Sequence, residues 1–298
     1  MRPWLVHTHV PGLGQVALSA WFTWLAIAIL VALFVAAQEA RAAGDSPTRL
    51  LRAAFVGVIG GVLGGRLGHL FTAQRDAYLE DPLKLARFWE GGMVLYGGLV
   101  LAVLASWLWV RRTKMDFARA ADAAAPAIAI GIALGRVGCL SAGCCYGRPI
   151  DWGTGVEWPW GLVFLRGVVP EVLRGIPLHP TQVYASLGAL TLFVVLRAVR
   201  RRQRFDGQVF GLLLVLYPVL RSVIEVVRLD LERGFVLPDL LGETLSTSQA
   251  LSIPVFVFGL VYLSRRRKAA DADGTLGLGP RAAADARLRR RIEASLAR

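Results

Sequence analysis

The residues best equipped for chemistry in this chain sit where charge is expensive. Arg136 lies in Ala133-Leu134-Gly135-Arg136-Val137-Gly138, while Arg221 and Glu225 lie in Tyr217-Pro218-Val219-Leu220-Arg221-Ser222-Val223-Ile224-Glu225, each inside an apolar stretch. An unpartnered charge in such a stretch costs at least about 2.5–3.5 kcal/mol in a membrane. Each therefore calls for an opposite charge or an anionic ligand. Arg221 and Glu225 are one helical turn apart and can pair, either as a structural salt bridge or as part of a site. Arg136 fits a purely structural reading poorly, because glycines on both sides let another backbone or a ligand approach closely. Two convergent arginines suit an anionic headgroup, since a guanidinium forks a phosphate bidentately.

Three further groups could take part. Cys139, Cys144 and Cys145 fall within seven residues. They can be small buried thiols, a disulfide in an oxidising compartment, or a reactive thiol whose pKa a nearby cation lowers. No metal site is expected, because three thiols fall short of a four-cysteine zinc set and no His stands at zinc-finger spacing. In Gly91-Gly92-Met93-Val94-Leu95-Tyr96-Gly97-Gly98-Leu99 the glycine pairs leave Tyr96 facing a cavity, whereas Gly60-Gly61-Val62-Leu63-Gly64-Gly65-Arg66-Leu67-Gly68 reads as close helix packing. His179 and Pro180 precede Thr181, a candidate helix cap.

The elements that must position these groups are membrane spans. Of 298 residues 55% are hydrophobic and 18% charged, and mean hydropathy is +0.52. Soluble domains carry about 25% charged residues, and hydrocarbon solvates none. Apolar stretches run over 16–37, 53–72, 93–110, 123–142, 181–199, 208–228 and 250–264, most near the length of about 20 residues that crosses a bilayer. The expected fold is an all-α integral membrane protein of about seven transmembrane helices. The first stretch is too long for a signal-peptide core and lacks a basic flank, so it is expected to remain as a span.

A net charge of +13 raises nucleic-acid binding as a possibility, but the basic runs at 111–114, 197–204 and 265–268 directly follow apolar stretches. That placement follows the positive-inside rule instead, and no compact basic domain exists to grip a nucleic acid. Basic loops after the first, third, fifth and seventh spans put the amino terminus outside and the carboxyl terminus in the cytoplasm. The long loop from Gly147 to Pro180, holding Trp152, Trp158 and Trp160, is then external. Residues 1–268 form the membrane domain, and 269–298 an Ala/Arg-rich cytoplasmic tail, mobile or weakly helical.

These segments, in order and spacing, resemble the bacterial phosphatidylglycerol–prolipoprotein diacylglyceryl transferase family along nearly the whole membrane region. The resemblance rests on Gly65-Arg66-Leu67-Gly68, Trp89-Glu90-Gly91-Gly92-Met93, Gly97-Gly98-Leu99, Gly135-Arg136-Val137-Gly138, His179-Pro180-Thr181-Gln182-Val183-Tyr184, Arg221-Ser222-Val223-Ile224-Glu225 and Ser248-Gln249-Ala250-Leu251-Ser252-Ile253-Pro254. It implies a multi-pass enzyme of the bacterial inner membrane, without cofactor. Such an enzyme transfers the diacylglyceryl group of phosphatidylglycerol to a prolipoprotein cysteine and releases glycerol phosphate. Arg136 and Arg221 would hold the lipid phosphate and Glu225 would orient Arg221, with Gly97, Gly98, Gly138 and His179 completing the substrate-binding set.

The chain departs from the family pattern at informative places. Cys139, Ala142 and Cys144 stand where the signature has Asn, Asn and Glu. Tyr96 stands for the His before Gly-Gly-Leu, and Trp21 for a Tyr of the first span. A neutral tyrosine is a weak base near pH 7. Activation of the acceptor thiol then needs Tyr96 with a lowered pKa, His179 or a cysteine thiolate. Competing readings are a relative with another acceptor or lipid, a non-catalytic lipid-binding protein, and a thiol-redox membrane protein.

Overall fold

The computed structural model describes residues 4–10, 14–72, 78, 81, 94–151, 159–229 and 245–296. Eight helices dominate it: α1 (Ala20–Ala42), α2 (Pro47–Thr72), α3 (Leu95–Arg112), α4 (Phe117–Ala142), α5 (Thr181–Arg201), α6 (Gln208–Val226), α7 (Thr247–Ala272) and α8 (Pro280–Leu296). Each of the seven apolar stretches has its helix, α1 to α7. Among the described residues six helices are long and apolar enough to cross a membrane. The remaining one, α3, has 18 residues and ends on Arg111 and Arg112. The chain is thus an all-α, multi-pass membrane protein.

Two small departures precede and follow the membrane helices. The start of the first apolar stretch is not helical: β2 (Gly14–Ser19) pairs antiparallel with β1 (Trp4–Val10), with Thr8 opposite Val16. The β-branched residues on both arms favour a strand pair there. The tail, read as mobile or weakly helical, forms α8 and is tied down. Arg287 Nη1 lies 2.6 Å from Asp206 Oδ2, and Gly277 N donates to Arg204 O at 2.8 Å.

The chain divides into two compact units, Ala36–Ala123 and Met1–Val35 with Ala124–Arg298. In the first unit, α2 and α3 pack backbone to backbone. A Cβ on Gly64 would stand 2.3 Å from Gly97 O, and one on Gly97 would stand 2.4 Å from Gly64 O. Gly60 faces Leu101 O and Gly98 faces Gly61 O in the same way. Small residues four apart let the helices approach this closely where lipid supplies no hydrophobic drive. Gly97 and Gly98, expected at the substrate, are helix-contact residues here.

In the second unit a core of Ala125, Ala129, Leu192, Leu196, Val209 and Leu213 joins α4, α5 and α6. Gly259 of α7 sits against the Leu214 backbone of α6, where a Cβ would be 3.0 Å from the carbonyl carbon. The chain between α4 and α5 has its own small core of Tyr146, Phe164, Val169 and Leu178. Its strands β3 (Leu162–Val163) and β4 (Pro177–Leu178) pair antiparallel. Trp152, Trp158 and the Trp89–Met93 motif lie outside the described residues. Trp160 is described, and is exposed.

Gly64→Val would push a branched side chain into the Gly97 carbonyl, and overpacking costs typically about 1–3 kcal/mol. The expected result is a lower unfolding temperature in detergent. Gly135→Ala, with nothing within 4 Å of its new methyl, should leave that temperature unchanged or raise it.

Candidate active site

The second unit brings together the three ionisable residues singled out in its spans. Arg136 of α4 and Arg221 of α6 line one crevice with Thr181 and Tyr217, and its apolar walls include Ile132, Leu220 and Ile224. A third guanidinium, Arg228, lines the same crevice. Arg221 and Glu225, one turn apart, share a face of α6. Arg228, which ends the sixth apolar stretch, lies just beyond the helix end at Val226. Its spacing of three residues from Glu225 is the signal the sequence offers.

Glu225 is the electrostatic centre of this face. It is 2% exposed, ion-paired through Oε2 with Arg221 Nη1 and 4.0 Å from Arg228 Nη1. Arg221 is held from the far side by Ser248, whose Oγ accepts from Nη2 at 2.7 Å. Ser248 is placed by the start of α7. There Ser246 accepts from Gln249 N, and the Gln249 side chain returns a bond to Ser246 N. That capping box fixes the first turn. Arg136, Arg221 and Arg228 thus converge on one crevice, where closely spaced positive charge in a low-dielectric surround attracts an anionic group.

Arg228 is positioned by the segment that follows α4. Arg148 N donates to Val227 O at 2.9 Å and Leu229 N to Tyr146 O at 3.3 Å, an antiparallel contact centred on Gly147 opposite Arg228. Gly147 must be glycine, since a Cβ would meet both Cβ and O of His179 at 2.6 Å. The same segment is bound to the start of α5. Gln182 Nε2 donates to Cys144 O at 2.7 Å, and Thr181 Oγ1 donates to Cys145 O. His179 contributes through its backbone, accepting from Gly147 N, while its Nδ1 lies 3.3 Å from the Tyr184 hydroxyl. Burial lowers the His179 pKa, which keeps the ring neutral.

The three cysteines converge at the edge of this arrangement. Their sulfurs all lie within 4.8 Å of one another, all three are free thiols, and Arg228 Nη2 donates to Cys145 Sγ at 3.4 Å. Hydrogen bonds from the Cys139 and Cys144 thiols, then the Arg228 and Arg136 charges, hold the Cys145 thiol low. The neighbouring thiols push Cys144 up. The three are unjoined here, and the cation beside them is Arg228.

The other expected residues fall elsewhere. Gly138 packs on α1, where a Cβ would be 3.1 Å from Trp24 Cβ and 3.4 Å from Trp21 O. Gly135, beside Arg136, borders open space. Tyr96 belongs to the first unit and is 41% exposed. In that unit Arg66, 3% exposed, stacks over the Tyr78 ring, and His69 Nδ1 lies 3.0 Å from the Tyr78 hydroxyl.

Replacing Glu225 by Gln should destabilise the protein by about 3–5 kcal/mol, as loss of one partner of a buried ion pair does. Combining it with Arg221→Met should cost less than the two single changes added together. Unfolding in detergent measures both; strict additivity would mean that the pair is not coupled.

A profile of the family described as prolipoprotein diacylglyceryl transferase matches residues 10–265. Among relatives named phosphatidylglycerol–prolipoprotein diacylglyceryl transferase, that of Geobacter sulfurreducens is 40% identical over 214 residues, covering 70% of this chain and 76% of its own. That of Xanthomonas euvesicatoria is 34% identical over 233 residues, 72% and 75% of the two chains. That of Photorhabdus laumondii is 31% identical over 273 residues, 84% and 89%. The chain, with its arginine-lined crevice, belongs to the prolipoprotein diacylglyceryl transferase family.

Proposed function

We propose that this enzyme transfers the diacylglyceryl group of phosphatidylglycerol to the cysteine thiol of a prolipoprotein. The observation that carries the reading is the convergence of Arg136, Arg221 and Arg228 on one crevice with apolar walls, with Arg221 held by buried Glu225. In the reaction the acceptor sulfur bonds to the glyceryl carbon as that carbon's bond to the phosphate oxygen breaks. The electron pair stays on the oxygen, glycerol phosphate leaves, and the thiol proton passes to a base. Negative charge grows on the phosphate as the bond lengthens. Arg136, Arg221 and Arg228 supply fixed positive charge for that change. Ser248 and Glu225 hold Arg221 in place, so little reorganisation is required when the charge develops.

Tyr96 is assigned the proton-accepting position, since it stands where the family has His. Neutral His179 is the nearest chemical alternative. Gly138 and His179 serve the substrate by shaping the walls that carry Arg136 and Thr181. The amino terminus faces outward and the carboxyl terminus the cytoplasm, with seven crossings of the bacterial inner membrane. Residues 1–268 carry the transferase, and 269–298 form the cytoplasmic tail.

The test is purified protein with labelled phosphatidylglycerol and a lipobox peptide, with thioether product read by mass spectrometry. Arg136→Ala and Arg221→Ala should each lower transfer by roughly 100–1000-fold, and Lys at either position should rescue poorly because an ammonium lacks the planar fork. Full activity in Arg136→Ala would sink the site.

At position 96, Phe should abolish transfer and His should raise it. Both variants matching wild type would remove the position from the mechanism. Reporter fusions after Arg112, Arg202 and Arg267 should read cytoplasmic and one near Gly161 external; an external signal after Arg112 would overturn the orientation.

A further inference from the structure

Sequence spacing argued against a metal site, yet the fold brings three sulfurs to one point. We propose that Cys139, Cys144 and Cys145 form a three-thiolate site for a soft, thiophilic ion of the zinc or copper(I) class. Cys139 comes from the last turn of α4, and the other two come from the turn that follows. Gly143 at φ +73° and Cys145 at φ +58° fold that turn back over the helix end. With metal–sulfur bonds of about 2.3 Å, two thiolates on one ion stand roughly 4 Å apart. The observed sulfurs, all within 4.8 Å of one another, therefore need only small side-chain adjustments to share an ion.

The surrounding charge decides which ligand fits. A bare cation is repelled by Arg136 and Arg228, so a hard, weakly bound ion is excluded. Soft ions bind thiolate itself. Three thiolates around a divalent ion carry a net charge of −1, and around a monovalent ion −2, which neighbouring guanidiniums stabilise. Arg228 Nη2, donating to Cys145 Sγ at 3.4 Å, is already placed as the outer-shell donor that such sulfurs take. Each thiol that binds the ion gives its proton to solvent. Three protein ligands leave one position open on a four-coordinate ion. The cysteines do not line the arginine crevice, but Arg228 touches both, so the two sites are adjacent and distinct.

The test uses the full chain in detergent, reduced, with Cd²⁺ as the probe. A sulfur-to-metal charge-transfer absorption should grow and saturate at one ion per chain, with release of protons. Cys139→Ser, Cys144→Ser and Cys145→Ser should each weaken binding at least tenfold. Alkylating the thiols of folded wild-type protein should abolish the band, a control that is independent of how the variants fold. No band, or a saturating band unchanged in any single variant, would overturn the site. So would a purified chain in which two of the three cysteines are already joined. Lipid transfer measured on the same preparation separates the two readings. Transfer without cadmium binding rejects the metal site alone, and binding without transfer rejects the transferase reading alone.

Discussion

Glu225 and the arginines that face it hold the site together. Each guanidinium alone would be too costly in an apolar bundle, and a bundle with matching carboxylates would have nothing left to attract a lipid phosphate. Glu225 answers the first demand by letting α6 fold with Arg221 inside, and the convergence of Arg136, Arg221 and Arg228 answers the second. The neighbouring elements serve this balance. The capped start of α7 brings Ser248 to Arg221, the segment after α4 pairs with the end of α6 beside Arg228, and α4 itself supplies Arg136.

Three departures from the family signature fall at the last turn of α4 and in the turn that follows, where the backbone is held by hydrogen bonds that do not depend on those side chains. Gln182 and Thr181 grip the carbonyls of Cys144 and Cys145, not their side chains. Gly147 fits against His179 through the absence of a side chain. The turn after α4 is therefore held through its main chain, with no demand on the side chain at 144. A new chemistry can enter there without moving the arginines.

Much of this was legible in the sequence. Each of the seven apolar stretches holds a helix, six of them long and apolar enough among the described residues to cross a membrane, and Arg221 with Glu225 announced a pair by spacing and by cost. The glycines from Gly60 to Gly68 were read as packing, and they are. Gly97 and Gly98 were read towards substrate, yet the same smallness serves α2; sequence alone cannot say which backbone a glycine is making room for. Arg228 was hidden at a span boundary, where arginines usually mark the water interface. The three cysteines stand out together in the sequence, but ligand counting assumes spacings seen in zinc fingers, whereas two left-handed residues after α4 bring these thiols to one point. The strand pair before α1 escaped because an apolar run carries no mark of where helix begins.

The contact between Gly64 and Gly97 also bears on residue 96. Val94, the residue before α3, makes no side-chain cap; its N–H is instead taken by Gly65 O at 2.9 Å. The opening turn of α3 is thus aimed by the backbone of α2, with no side chain acting as a spacer. Residue 96 rides on that turn like a bit in a chuck: its direction is set by the holder, and only its chemical tip is interchangeable. Imidazole or phenol at this position would be carried on the same backbone, at the same distance from α2.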